Sequence, residues 1–150
     1  MEGTSAPLRP WGECRARLEA SELYWLATTR RDGRPHTIPV GAVWFDGRLW
    51  FNTSLYTVVG RTLIREPRAL VHLESAEDVL IVEGLVSLLD QAQIPADVVA
   101  AYTDKYGGEW VPENPDSPWL WFALDPRSAM SWSFSDVRNT ATRYDFESSR

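Results

Sequence analysis

Residues 36–54, HTIPVGAVWFDGRLWFNTS, constrain the fold of this chain more than any other stretch. They read as two strands joined by a tight turn, because β-branched and aromatic residues flank Asp46-Gly47, a dipeptide that readily takes positive φ angles. A hairpin alone is not stable in water. Residues 40–45 are apolar on both faces, which predicts a strand covered on both sides, as in a small barrel with an element packed on its outer face. After Phe51, the short polar residues Asn52, Thr53 and Ser54 open the next predicted helix. A helix start carries free N–H groups and partial positive charge, so Thr53 and Ser54 stand where a phosphate would bind. Such residues more often only cap the helix, and position alone leaves both readings open.

The 150 residues, 44% hydrophobic and 12% aromatic, suffice for one ordinary core. Eight tryptophans are many for this length, and rings of that size favour a subunit interface or a ligand pocket. The net charge of −6 repels a nucleic-acid backbone, and no basic run is interleaved with aromatics, so no nucleic-acid partner is expected. A lone Cys14 excludes an internal disulfide and fits a reducing compartment. Neither an apolar leader nor a membrane-length apolar run is present, so the expectation is a cytoplasmic protein with no membrane partner.

Along the chain, residues 1–10 read as a loose arm and residues 11–150 as a single domain. Trp11, Cys14 and Leu18 mark a short amphipathic helix with Cys14 as a buried packing residue. Residues 23–29 form a strand that turns at Asp32-Gly33 into the central hairpin. Tyr56, Val59 and Leu63 then repeat at helical spacing, with Arg61 and Arg65 one turn apart, until Pro67 stops a three-turn helix. Residues 69–74 and 79–89 are strands, the second holding Gly84 at a bulge. A helix runs from Pro95 to about Tyr106, residues 107–118 form a loop, and residues 119–124 and 129–134 are two more strands around an Asp125-Pro126 turn. The total is six or seven strands, mostly sequential and antiparallel.

Few side chains offer chemistry of their own. His36 and His72 are isolated, no metal-binding spacing occurs, and no serine sits in a nucleophile motif. His72 reads as a strand histidine satisfied by a neighbour, and Glu74, Glu77, Asp78 and Glu83 as a solvated acidic face. Many aromatics, few acid–base groups and one anion-friendly helix start suit a chain that holds a planar cofactor and leaves the chemistry to it.

Several fragments, in order, carry a resemblance: Trp25-Leu26-Ala27-Thr28-Thr29, Asp32-Gly33-Arg34-Pro35-His36, Pro39-Val40, Asp46-Gly47, Phe51-Asn52-Thr53, Arg61, Glu66-Pro67-Arg68 and Val71-His72-Leu73-Glu74-Ser75. Lys105-Tyr106-Gly107, Pro126-Arg127, Trp132 and Ala141-Thr142-Arg143-Tyr144 continue it. Across residues 18–146 the chain resembles the pyridoxamine 5′-phosphate oxidase-like superfamily, specifically its flavin/deazaflavin oxidoreductase branch. The resemblance implies a mainly β, six-stranded antiparallel Greek-key split β-barrel that pairs as a homodimer and binds FMN or the deazaflavin F420 in two clefts at the interface. It places Thr37, Ile38, Pro39 and Val40 along the flavin ring, Thr53 and Ser54 at the phosphate with Asn52 also among the cofactor-binding residues, Arg61 where a family arginine usually stands, and Trp132 near the cofactor as a contribution of the partner chain. The implied activity is hydride transfer to or from a small-molecule substrate. The alternative is a dimer of the same fold that has lost flavin and carries another small ligand.

The chain departs from the pattern at Val58-Val59, where the family commonly has Arg-Lys gripping the phosphate. If the family cleft is kept, Val59 projects from the first helical turns toward the phosphate. The other reading packs Val59 into the core beside Tyr56 and Leu63.

Overall fold

The computed structural model describes residues 9–112 and 116–147. Helix α1 (Trp11–Ala20) leads into β1 (Tyr24–Thr29) and β2 (Pro35–Val40), then β3 (Val43–Phe45) and β4 (Arg48–Ser54). Helix α2 (Val58–Arg65) follows, then β5 (Arg68–His72), β6 (Asp78–Leu89), α3 (Ala96–Tyr106), β7 (Trp119–Ser133), α4 (Val137–Thr140) and β8 (Thr142–Asp145). The strands form one antiparallel sheet in the order β2-β1-β5-β6-β7-β4-β3, with β8 added on β7. Because β2 continues into β3 through Gly41-Ala42, the two ends of this path meet, and the sheet curls into a split barrel.

The barrel has eight strands among the described residues, rather than six. Gly41-Ala42 breaks the first arm of the central hairpin, so that β2 pairs with β1 while β3 pairs with β4. Asp46 and Gly47 make the turn with φ of 51° and 72°, the double positive φ that a tight hairpin requires. Residues 119–133 are one strand, not two: Asp125 and Pro126 pair with Leu85 and Gly84, and the bulge at Glu83/Gly84 leaves out Arg127. A β-carbon on Gly84 would stand 2.2 Å from the Asp125 carbonyl oxygen, so only glycine admits this approach.

Register separates the two faces of the sheet. Ile38, Leu26, Val71, Val82, Ala129 and Tyr144 are cross-strand neighbours in one row, and from Leu26 to Tyr144 every side chain of it is buried in the core. The adjacent row, Pro39, Trp25, His72, Ile81 and Met130, faces outward, with Trp25 39% and Met130 43% exposed. Helix α1 buries Cys14 and Leu18 against the core, as its spacing predicts. Arg9 is tied to the barrel by an ion pair with Asp78 (2.6 Å), which Arg17 also approaches (3.4 Å), so Asp78 is not part of a free acidic face. Among the described residues, no helix is long and apolar enough to cross a membrane.

Candidate functional site

Among the described residues, strand β2 has a sheet neighbour only in β1, which leaves its other backbone edge without a strand partner there. Along it, Thr37 and Pro39 are exposed, Ile38 is half-buried and Val40 is buried. Pro35 and Pro39 supply no N–H, which suits residues on an edge.

The corner after β4 differs from expectation. Asn52, Thr53 and Ser54 complete β4 instead of opening a helix, and all three side chains are buried. Asn52 Nδ2 donates to the Trp110 carbonyl (3.0 Å), the Thr53 and Thr57 hydroxyls share a hydrogen bond (3.1 Å), and Ser54 Oγ accepts from the Tyr56 N–H (3.1 Å). Helix α2 begins later, at Val58, and Thr57 caps it by accepting from the Gly60 N–H (3.0 Å). Gly60 lies so near the strand end that an added β-carbon would stand 2.1 Å from the Ser54 carbonyl oxygen. The helix start is thus packed against the end of its own strand.

Val59 is fully buried within the core, beside Leu63, whereas Tyr56 is 79% exposed and precedes the helix. The core reading of Val59 therefore holds, and the family's basic grip at this position is replaced by packing. The outward face of α2 carries the charge instead. Arg61 and Arg65 stand with Val58 and Thr62 on one side of a shallow basin of about 350 Å³, and Arg30, Arg31, Asp32 and Arg34 from the β1–β2 turn form the other. Arg34 holds Asp32 with a 2.8 Å contact and, by hydrogen bonding, keeps its carboxyl below the usual range. The Arg61 guanidinium donates to the Tyr56 carbonyl (2.8 Å).

The structure thus brings Arg61 to the entry of β2, where Arg34 directly precedes Pro35, but keeps Thr53 and Ser54 inside. Trp132 is half-buried on β7 opposite Val79, four strands along the sheet from β2. Arg30, Arg31, Arg34 and Arg65 lie beyond the sequence-derived site. The signal for them was the Arg-Arg-Asp-Gly-Arg turn together with the i, i+4 arginines of α2, which only the fold brings face to face.

Of the two histidines, His72 is satisfied as predicted, its Nδ1 lying 2.8 Å from the Leu73 carbonyl oxygen while its ring stacks on Trp25. Among the described residues His36 Nδ1 has no hydrogen-bond partner and is shielded, as are Thr28 Oγ1, its cross-strand neighbour, and Arg30 Nε on the same hairpin.

The family model for pyridoxamine 5′-phosphate oxidase matches residues 11–133. The chain belongs to that family. No curated protein matches it. Among solved structures, an F420 reductase is 21% identical, with 77% of this chain and 94% of that one covered at a TM-score of 0.61. A heme-binding protein from Mycobacterium smegmatis is 19% identical, covering 91% of this chain and 59% of that one at a TM-score of 0.72. A conserved hypothetical protein from Mycobacterium tuberculosis is 19% identical and covers 99% of both chains at a TM-score of 0.68. At such identities these neighbours establish the split-barrel fold and leave the ligand to the chain's own residues.

Proposed function

We propose that this member of the pyridoxamine 5′-phosphate oxidase family is a flavin- or deazaflavin-dependent oxidoreductase, binding FMN or F420 and moving hydride to or from a small-molecule substrate. The observation that carries this reading is the unpaired edge of β2 with cationic side chains at its entry. An unpaired strand edge offers backbone donors and acceptors in a line, which match the polar rim of a planar heteroaromatic ring. Thr37, Ile38, Pro39 and Val40 would lie along the ring, Arg61 would receive the phosphate, and Asn52, Thr53 and Ser54 would line the strand end beside it. The ring supplies the redox chemistry; the chain binds it, orients it and excludes water.

Homodimerisation is part of the proposal. The outward row of Trp25, His72, Ile81 and Met130 leaves an apolar stripe uncovered in one chain, and a second copy placed symmetrically on it would cover both stripes. In such a pair Trp132, which lies four strands along the sheet from β2 of its own chain, would approach β2 of the other copy.

The test is titration of the purified protein with FMN, F420 and hemin, followed by fluorescence and absorbance. Saturable binding of FMN or F420, weakened about tenfold or more by Trp132→Ala, is the expected result. A protein that binds hemin and neither flavin nor deazaflavin would overturn the oxidoreductase reading in favour of the ligand-carrier alternative.

A further inference from the structure

Five of the chain's 15 basic residues, Arg30, Arg31, Arg34, Arg61 and Arg65, surround one basin in a protein whose net charge is −6. Asp32 is the single carboxylate lining it, and its salt bridge is with Arg34. No ion pair engages Arg30, Arg31, Arg61 or Arg65 among the described residues. Like charges gathered around a concavity repel one another and focus a positive potential into it. A second observation lies on the same hairpin. Arg30, which lines the basin, has its Nε shielded from solvent with no hydrogen-bond partner among the described residues. A shielded donor without a partner is uncommon in folded chains and points to something that completes it.

We infer that this arginine basin is a binding site for an oligoanion, a small molecule bearing at least two phosphate or carboxylate groups. The count follows from charge and geometry. One phosphate carries between one and two negative charges and accepts forked contacts from about two guanidinium groups. Five guanidinium groups divided between a turn and a helix exceed that, and a ligand with several acidic groups can meet both sides at once. The inference shares Arg61 with the cofactor reading but stands on the cluster by itself. A single flavin phosphate would use only part of the basin.

Calorimetric titration of the full chain with inorganic tripolyphosphate and with inorganic phosphate, at low and at physiological salt, tests it. Tripolyphosphate is expected to bind about tenfold or more tightly than phosphate, and to weaken as salt screens the basin. The double variant Arg31→Gln/Arg65→Gln should lose about tenfold or more of that affinity. Its unliganded melting temperature should stay that of the parent, because neither side chain holds an ion pair. The control Arg15→Gln/Arg138→Gln removes the same charge from helices α1 and α4 and should leave affinity within about twofold. No binding of tripolyphosphate at low salt, or equal losses in the two double variants, would overturn the inference. FMN titration of the same proteins separates the two readings. Tripolyphosphate binding without FMN binding leaves the basin standing and removes the flavin, whereas FMN binding that the basin variant does not alter, with no tripolyphosphate binding, does the reverse.

Discussion

Leu26 and Trp25 are neighbours in one strand, yet the first is fully buried and the second 39% exposed. The same division runs across the sheet: Val71, Val82 and Ala129 continue the inner row, and His72, Ile81 and Met130 the outer one. Both rows are largely apolar. An inner row of that kind is what any barrel core needs, and an outer row of that kind is what the proposed symmetric partner would cover. Helix α2 repeats the contrast in miniature, with Val59 in the core and Val58 at the rim of the arginine basin.

The sharpest way to break the contrast is at that helix. Val59→Lys places an unpaired ammonium in the core and should cost several kcal/mol, enough to lower the melting temperature by many degrees or prevent folding. Val58→Lys, one residue away, should leave the melt close to that of the parent and strengthen tripolyphosphate binding. Thermal melts of both variants check this, and a tolerated Val59→Lys with gained affinity for FMN would restore the family's phosphate grip.

In the sheet, Leu26→Ala should destabilise by about 2–5 kcal/mol, by an amount independent of protein concentration. Trp25→Ser should instead act on assembly, raising the dimer dissociation constant about tenfold or more while the dilute monomer keeps its stability within about 0.5 kcal/mol. Light scattering and melts over a concentration series distinguish the two. If Trp25→Ser destabilises as much as Leu26→Ala at every concentration, the outer row is not an interface.

How much of this was legible in the sequence depended on how local its cause is. Asp46-Gly47 and the Trp11, Cys14, Leu18 spacing act within a few residues, and both were read correctly. The local pattern breaks the strand at Asp125-Pro126, because its continuity depends on Gly84 in another strand, and no local pattern records that. Thr53 and Ser54 resembled a helix start. Thr57, three residues on from Ser54, is the cap, since the strand pairing of Thr53 with Leu120 and Ser54 with Trp119 carries β4 further than its polar side chains suggested. The arginine basin was illegible for the same reason as the long strand: its halves are about thirty residues apart and meet only when α2 folds back beside the β1–β2 turn.

The smallest expected effect lies where the inner layer admits a charge. Lys105 on α3 donates to the Ala42 carbonyl (2.8 Å) and the Tyr24 hydroxyl (3.1 Å), with its ammonium 4.8 Å from the centre of the Tyr24 ring. Burial pushes its pKa down to about 8, against an ordinary value of 10.5. Below pH 8 both folded and unfolded chains hold the proton, and the folded state bears the full desolvation penalty. Between about 8 and 10.5 the unfolded chain binds more protons, so this residue makes stability rise with pH. Tyr24 and Tyr102 act in the opposite sense, because burial raises their pKa above 10.0 and the unfolded chain loses those protons first. The Lys105 contribution is therefore readable between pH 8 and 10. Lys105 is only half-buried and retains part of its hydration, so the shift should stay below the roughly 2–4 °C that 1 kcal/mol produces in a domain of this size. Melting curves of the parent should move upward from pH 8 to 10 relative to those of Lys105→Met. Parallel pH profiles for the two proteins would mean that the ammonium is as well solvated in the folded chain as in the unfolded one.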